Sequence, residues 1–498
     1  MTAYVILAAG RGTRIGRVGE SMHKALVPLE GEAIITHLLA RAPDDARIAI
    51  MLGHRAEQVE EYVNMAHPDL DVTFIPVAGW DEVGGGPGLS LMAAREFVGD
   101  DDMLFTSCDT LWEQGDIDAI GDVSWAAVAP MPSGTTQDRW CRMVPTRDGV
   151  VIVDKSLEHP GGFAYTGLAY IASDDLDTFW AGLAGDDLLY TERQVTGGLR
   201  ILAASQRLGL QHIHWTDVGD EAAYARAVAL RSGYDWTKDG EATYVLPYSH
   251  RVIKFFADPI VAEQREVGRM RLGHAGPKLV GIGSQMLAYE YIHGTTAYEA
   301  VEADHNVAAR IVEWAWETMW THPIHVSDKV MYEACIEFYR NKTLQRISKL
   351  HPLLQATARD AVSRVDWDRL ARGCVPVKFH GDFNFGNIMV DPVYGRFVGI
   401  DWRGDFAGYE WWGDMRYDMG KLVSGTVVHW DNARRGDFRP WTDGRAVRRI
   451  IMDVLPLESA WDVQVIGALS LINSAPLHAS PLDEILVARG AAWLEEVL

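Results

Sequence analysis

The chain has 498 residues, 48% hydrophobic and 23% charged, which is enough for two to four globular domains at about 150 residues each. Its formal net charge of -23 excludes general nucleic-acid binding, which needs a basic face, but leaves room for nucleotides held by a few amides, lysines and Mg2+. The four scattered cysteines form no CxxC pair, so neither a disulfide framework nor a zinc site is expected, and Gly10 and Arg11 cut short the apolar N-terminal stretch before it could serve as a signal peptide or membrane span. These features predict a reduced, cytoplasmic setting with no membrane insertion; a homo-oligomer is compatible with them.

In chain order, Tyr4–Ala8 reads as a buried strand followed by a glycine-bearing loop. Ala33–Leu39 reads as a helix, Arg47–Leu52 as a strand and Ala56–Met65 as a helix. Val72–Val77, Met103–Thr106 and Trp125–Ala129 read as further strands. This alternation predicts a mainly parallel sheet with helices on both faces and ligands beyond the carboxyl ends of its strands. The polar stretch Arg231–Glu241, with Gly233, Lys238, Asp239 and Gly240, is the candidate linker between domains at 1–230 and 242–498. Beyond it, Thr243–Leu246, Arg251–Phe256 and Met286–Ile292 read as strands and Val261–Leu272 as a helix. Helical patterns then dominate, as in Val307–Thr321 and Lys329–Leu344. Two strand-like pieces, Val375–His380 and Phe397–Asp401, flank a loop, so a small sheet-containing lobe followed by a helical lobe is expected.

The sharpest N-terminal feature is Leu7-Ala8-Ala9-Gly10-Arg11-Gly12-Thr13-Arg14, directly after the first strand. Small residues let backbone amides approach a triphosphate, and Arg11 and Arg14 add charge-assisted contacts. Lys24, in His23-Lys24-Ala25-Leu26-Val27-Pro28-Leu29, can neutralise charge building on an α-phosphate. Together these segments resemble the family that includes sugar-1-phosphate nucleotidyltransferases and phosphocholine cytidylyltransferases, whose pattern is LAAGxGTR followed by PKxLxP; His23 replaces the first proline. The resemblance covers roughly residues 1–230 and implies a Rossmann-like, mainly parallel mixed sheet flanked by helices. It also implies two Mg2+-holding carboxylates, Asp109 in Ser107-Cys108-Asp109 and Asp217 in Trp215-Thr216-Asp217-Val218. Lys155 resembles the lysine for the acceptor phosphate, although a plain strand-end lysine is an equal reading, and Tyr165-Thr166-Gly167-Leu168 resembles the acceptor loop. The run Gly84–Gly88, with Gly86 and the nearby Ser90, stands where relatives contact the base.

The strongest motif is His380-Gly381-Asp382-Phe383-Asn384-Phe385-Gly386-Asn387, followed after a strand by Asp401-Trp402. It resembles the HGDxxxxN and (I/V)D pattern of aminoglycoside phosphotransferases, choline kinases and related small-molecule kinases, and implies a two-lobed, protein-kinase-like α+β domain. By that resemblance Asp382 accepts the substrate hydroxyl proton, while Asn387 and Asp401 hold Mg2+. Lys254, in Arg251-Val252-Ile253-Lys254-Phe255-Phe256, would contact the α/β-phosphates of ATP. Glu263 or Glu266 would orient it, and spacing does not choose between them. The segment Ala288–Gly294, including Glu290 and Ile292, resembles the hinge where backbone groups meet adenine. No GxGxxG loop precedes Lys254, and Arg403 stands at the third position of the DFG-like segment; both favour a small-molecule kinase over a protein kinase.

On the acceptor side, aromatic and acidic residues crowd Trp402–Asp405 and Tyr409–Asp414, with Asp405, Trp411 and Asp414 as candidates for contact. A pocket for a cationic amino alcohol, a platform for a sugar and simple tryptophan packing all fit. Arg416-Tyr417-Asp418-Met419-Gly420-Lys421-Leu422 resembles the helix that follows in the same family. The expected function is bifunctional. ATP phosphorylates a small hydroxyl compound, and a second NTP, with CTP favoured, then donates a nucleoside monophosphate to the product for surface glycan or lipid precursors. An aminoglycoside-type kinase with a passenger domain, or a nucleotide-binding scaffold with one inactive domain, are the alternatives.

Overall fold

Thr2–Ala8 (β1) is apolar at almost every position and feeds two separate cores, Tyr4, Ile6 and Ala8 entering one and Ala3, Val5 and Leu7 the other. Such a strand belongs in the middle of a sheet covered on both faces. β1 pairs in parallel with Arg47–Leu52 (β2), and Val72–Pro76 (β3) continues beyond β2. On its other side β1 pairs in parallel with Asp102–Ser107 (β4). Ile34–Leu39 (α1) and Ala56–Ala66 (α2) cover one face through Ile35, Leu38, Val59 and Tyr62. Leu176–Leu183 (α3) and Thr196–Ala204 (α4) cover the other through Phe179, Leu183, Leu199 and Leu202. The α/β class expected from the sequence is therefore the class observed. The computed structural model describes all residues except 114, 118–120, 122, 148, 158–160, 186–187, 190, 233–236, 239, 394 and 457–458.

An antiparallel extension makes the sheet mixed. It comprises Trp125–Ala129 (β5), the hairpin Cys141–Thr146 (β6) and Gly149–Asp154 (β7), Phe163–Ile171 (β8) and Gly209–His212 (β9). β8 pairs antiparallel with β4 through Leu168–Ile171, with β5, and at its start with β6. The carboxyl ends of β1, β2 and β4 share one edge. There the Cys108 amide donates to the Leu7 carbonyl at 3.1 Å and the His54 amide to the Ala9 carbonyl at 2.9 Å. Thr110–Trp112 and Trp215–Asp217 pair antiparallel, with Asp217 opposite Thr110, which returns the chain to this edge.

By contacts the chain divides into two compact units, Met1–Asp258 with Gly283–Ala288, and Pro259–Ile282 with Tyr289–Leu498. The linker segment read at 231–241 thus lies within the first unit, and its Gly233 and Asp239 fall outside the described residues. Glu241–Leu246 (β10) and Arg251–Phe256 (β11) stay with that unit because Tyr244, Leu246, Ile253 and Phe255 join the core containing Ile6 and Tyr62. The rings of Tyr62 and Tyr244 lie 4.8 Å apart, and the Tyr244 hydroxyl donates to the Leu26 carbonyl at 2.6 Å.

The second unit is mainly helical. It includes Pro259–Leu272 (α5) and, after the helices Ala297–Ala303 and Val307–Ala315, Asp328–Cys335 (α6), a wider π turn at Ile336–Asn341 and Lys342–Ile347 (α7), so the helix read over Lys329–Leu344 is real but locally unwound. Met415–Ser424 (α8), Ala460–Ser474 (α9) and Leu482–Val497 (α10) form the helical core. A hairpin of Ile388–Asp391 (β12) and Arg396–Gly399 (β13) pairs Ile388 with Gly399. Of the strand read at Val375–His380 only Pro376–Val377 forms one. Among the described residues no helix is long and apolar enough to cross a membrane.

Candidate active sites

The first site gathers at the carboxyl edge of the parallel strands. Lys24 pairs with Asp109 through a short contact, with the lysine side chain 9% exposed and the aspartate 21%. Ser107 Oγ donates to Asp109 Oδ1 at 2.6 Å and touches Thr110 Oγ1 at 3.1 Å, which fixes the carboxylate just past β4. Burial pushes the Asp109 carboxyl up, but Lys24, Ser107 and Arg14 outweigh it and bring it down to about 2. Asp217 comes close to it: a Cβ added to Gly219 would sit 2.8 Å from Asp217 Oδ1 and 3.3 Å from Asp109 Oδ2. Burial first, and then the Asp109 charge, raise the Asp217 carboxyl. Two adjacent carboxylates that repel one another offer hard oxygen ligands and electrostatic reason to hold a divalent cation.

The glycine loop is shaped around Lys24. Gly12 has φ +63°, and a Cβ there would lie 2.9 Å from Lys24 Cβ, so the loop and the lysine stem need a residue without a side chain. Leu7, Ala8 and Ala9 are buried, whereas Gly10, Arg11, Thr13 and Arg14 face outward. Arg11 contacts Asp81 at 3.2 Å and lies over the Trp80 ring at 5.5 Å. His23, which replaces the proline of the resembled pattern, is a connector. Its Nδ1 accepts from the Ala25 amide at 3.0 Å, and Nε2 therefore donates to the Ala8 carbonyl at 3.0 Å. Burial pushes its pKa down to about 4, so the ring is neutral and ties the loop to the lysine segment.

Gly86 precedes a short helix, Pro87–Ala93, where Ser90 Oγ donates back to the Gly86 carbonyl at 3.3 Å and the side chain is buried. Gly85 accepts from the Arg193 amide at 2.7 Å, so this run is packed against Thr191–Arg193. Gly167 lies in β8, between the paired residues Tyr165 and Ala169 where the register shifts, beside Ser107. Lys155 follows β7 with φ +42°, and its amide donates to the Trp140 carbonyl at 3.2 Å. Trp140 meets Trp215 edge-on at 5.3 Å, which puts the Lys155 segment beside the strand carrying Asp217. Sequence reading did not single out Trp140, because only the fold shows which strand it faces.

The second site centres on Asp382. Its Oδ1 accepts from Lys421 Nζ at 2.7 Å and its Oδ2 from Asn387 Nδ2 at 2.8 Å. Asn387 also donates to the Asp382 carbonyl at 3.0 Å, closing the loop on itself. The Ile400 amide donates to the Asn387 carbonyl at 2.8 Å, so Asn387 and Asp401 stand together just past the end of the β12–β13 ladder. Asp401 has φ +57° and is half-buried. The loop hangs from Asp418 of α8, wholly buried, whose Oδ2 accepts from the His380 amide and Oδ1 from the Gly381 amide, both at 2.7 Å. Burial raises the Asp418 carboxyl to about 6 against the pull of those amides. Asp418 and Lys421 were legible only as part of a family-like helix; their spacing of three on one helical face was the signal available.

The other expected residues divide. Lys254 lies on β11 in the first unit and is half-buried; on α5 of the second unit Glu263 is exposed and Glu266 half-buried. Glu290 accepts from the Lys278 amide at 3.1 Å and faces Arg396 at 3.5 Å, and Ile292 is buried. Asp405 accepts from the Gly408 amide at 2.7 Å and lies 3.8 Å from Arg403. Trp411 is 56% exposed, whereas Trp402 and Trp412 are buried. Asp414 corrects the sequence expectation. It caps α8 and is wholly buried against Arg416 at 2.6 Å and Tyr339 at 2.9 Å, so its carboxylate is spent on structure and does not reach an acceptor.

Residues 4–136 match the model of the MobA-like NTP transferase domain, and residues 271–450 that of the phosphotransferase enzyme family. A bifunctional protein GlmU from Methanococcus maripaludis strain C5 is 29% identical over 119 residues, 24% of this chain and 27% of that protein. A bifunctional protein GlmU from Bradyrhizobium sp. strain ORS 278 is 36% identical over 110 residues, 21% of this chain and 22% of that protein. The chain thus spans about a quarter of the length of these curated relatives. Among solved structures, a UDP-glucose pyrophosphorylase from Acinetobacter baumanii aligns over 46% of this chain and 92% of that one, with 16% identity and a TM-score of 0.37. The chain therefore carries two transferase families in series, an NTP transferase domain in its first part and a phosphotransferase-family domain in its second.

Proposed function

We propose that the chain is a bifunctional enzyme that phosphorylates a small hydroxyl compound with ATP and then links the product to a nucleoside monophosphate. The observation that carries this reading is the pair of lysine–aspartate constellations, Lys24–Asp109 with Asp217, and Lys421–Asp382 with Asn387 and Asp401. In the kinase step the acceptor hydroxyl oxygen attacks the γ-phosphorus, ADP leaves, and the hydroxyl proton passes to the Asp382 carboxylate. Lys421 and Asn387 hold that carboxylate in place, and Asp418 fixes the backbone on which it sits. Backbone groups around Glu290–Ile292 would meet adenine. Asp405 and Trp411 border the acceptor.

In the second step an oxygen of the new phosphomonoester attacks the α-phosphorus of the other NTP, and pyrophosphate leaves. Lys24 and the amides of Leu7–Arg14 neutralise the charge that develops there, while Lys155 and Gly167 lie on the acceptor side. The Asp109 and Asp217 carboxylates fit Mg2+ as a set of hard oxygens, and Asn387 with Asp401 fits a second Mg2+ site. Bound Mg2+ supplies charge neutralisation of the phosphates. CTP is favoured as the second nucleotide by analogy with choline-kinase-type partners, and the acceptor class is a sugar, polyol or amino alcohol for surface glycan or lipid precursors. The functional kinase segment is taken to begin near residue 242.

The test is a screen of hydroxyl compounds with ATP and each NTP, reading ADP, pyrophosphate and the mass of the nucleotide-linked product. Acceptor-dependent ADP formation that vanishes in Asp382→Asn, together with pyrophosphate release that vanishes in Lys24→Ala, is the expected result. ADP formation that persists in Asp382→Asn would overturn the kinase assignment.

A further inference from the structure

The surroundings of Asp382 carry more positive charge than its own carboxylate requires. Lys342, at the start of α7, places Nζ 3.9 Å from the centre of the Phe338 ring, and the Arg403 guanidinium carbon lies 5.1 Å from the same centre. Arg403 packs its Cβ against Gly381, next to Asp382, and Lys421 is already bonded to Asp382. Of the carboxylates nearby, Asp382 is held by Lys421 and Asn387, and Asp405 by the Gly408 amide with Arg403 beside it, while Asp401 stands with Asn387. Among the described residues no carboxylate reaches ion-pair distance of Lys342. Burial, and then the charges of Arg403 and Arg346, push the Lys342 ammonium well below the usual lysine range; Asp405 opposes this and Lys421 adds to it. Cations crowded into one half-buried place repel one another until an anion joins them.

Two of the three tryptophans that follow Asp401 are closed to a cationic acceptor, and the third, Trp411, is 56% exposed. Trp402 is 3% exposed with its indole N–H donated to the Arg265 carbonyl at 2.6 Å, and Trp412 is 6% exposed, so neither offers an open ring face to an ammonium group. Asp414 is consumed by Arg416.

We propose that the compound phosphorylated at Asp382 carries, besides its hydroxyl, an anionic group (a carboxylate or a phosphate) that is bound by Lys342 and Arg403. The inference rests on the kinase reading above and narrows its acceptor to hydroxy acids or their phosphorylated counterparts. A charged hydrogen bond made in a half-buried site is worth roughly 10- to 100-fold in kcat/KM.

The experiment uses the intact chain and matched acceptors: glycerol, glycerate and glycerol 3-phosphate; glucose and glucuronate; ethanolamine and choline. ADP release is measured with Mg2+-ATP. The expected result is a kcat/KM for an acidic member at least about 10-fold above its neutral partner. Lys342→Met should erase most of that preference through acceptor KM while leaving ATP KM in place, and Lys342→Arg should restore it. Glycerate against glycerol 3-phosphate decides between carboxylate and phosphate. Preference for choline, ethanolamine or a neutral member overturns the inference and leaves the kinase reading intact. A Lys342→Met effect confined to ATP KM also overturns it, because the cations would then serve the nucleotide. If no member raises ADP release, binding of glycerate, glycerol 3-phosphate and choline is titrated by calorimetry with a non-hydrolysable ATP analogue; absence of acid-selective binding sensitive to Lys342→Met overturns the inference. The kinase reading fails separately, when no compound in the wider screen elicits ADP release that depends on Asp382.

Discussion

The two constellations use the same pair of residue types and secure them differently. Asp109 follows directly on β4, is bonded by its neighbour Ser107, and meets Lys24 across a glycine loop whose Gly12 leaves room for the lysine stem. Asp382 sits on an irregular loop whose backbone is suspended from Asp418, a buried carboxylate on α8, and meets Lys421 one helical turn farther along. The first site is positioned by the ends of strands and by the absence of side chains. The second is positioned by a buried charge, which must be fully hydrogen-bonded to be tolerated. Strand ends in a parallel sheet provide rigid anchors at little cost, whereas a loop outside a sheet needs a dedicated polar anchor to stay in place.

The largest expected effect separates the two chemistries. Lys24→Ala should reduce pyrophosphate release by on the order of 10^3-fold with acceptor-dependent ADP formation unchanged, and Asp382→Asn should do the reverse when pyrophosphate release is assayed with the already phosphorylated acceptor. Loss of both activities in either variant under that condition would mean that the sites are not independent. Next comes the anchor: Asp418→Ala leaves the His380 and Gly381 amides buried without an acceptor. A stability loss of about 3 kcal/mol in urea unfolding is expected, larger than for Asp418→Asn, which retains one acceptor oxygen. An effect under about 0.5 kcal/mol would show that water replaces the carboxylate.

His23 gives the next effect, through pH. Its pKa in the fold lies near 4, below the ordinary 6.5, so between these values the unfolded chain binds the extra proton. Its contribution is complete above pH 6.5 and is lost as pH falls toward 4, about 2 kcal/mol between pH 7 and pH 5. His23→Gln should remove that part of the acid sensitivity, seen as a smaller gap between urea midpoints at pH 7 and pH 5. An unchanged gap would show that burial does not hold the ring neutral. The smallest effect belongs to Gly219, where alanine would press on Asp217 and Asp109 at 2.8 and 3.3 Å. Gly219→Ala should raise the Mg2+ concentration for half-maximal pyrophosphate release about 10-fold, with the Mg2+ response of ADP formation unmoved.

Much of the first site could be read along the chain. The bounds of Arg47–Leu52, Trp125–Ala129 and Arg251–Phe256 coincide with observed strands, and the loop, Lys24, Asp109 and Asp217 do come together. Buried strands announce themselves as continuous apolar runs, and a residue immediately after such a run is placed by it. The hairpin of β6 and β7 was not legible, because β6 sets a charged residue, Arg142, at a fully buried position and carries Pro145, so its pattern does not announce a strand. Nor was the fate of Asp414: the same crowding of acids and aromatics that resembles an acceptor pocket becomes, once folded, a capped helix and a buried Arg416 pair.

The amino-acid sequence by itself determined the succession of two nucleotide-using families and the local stations of their motifs, because glycine loops, strand ends and an HGDxxxxN loop act through residues close in the chain. Only the tertiary structure decided which distant groups complete them: Trp140 against the strand carrying Asp217, Asp418 beneath the His380–Gly381 backbone, and Lys342 with Arg403 near Asp382. Those partners are selected by burial and electrostatics across the fold, where charge must be matched in three dimensions, and such matching leaves no fixed spacing along the chain.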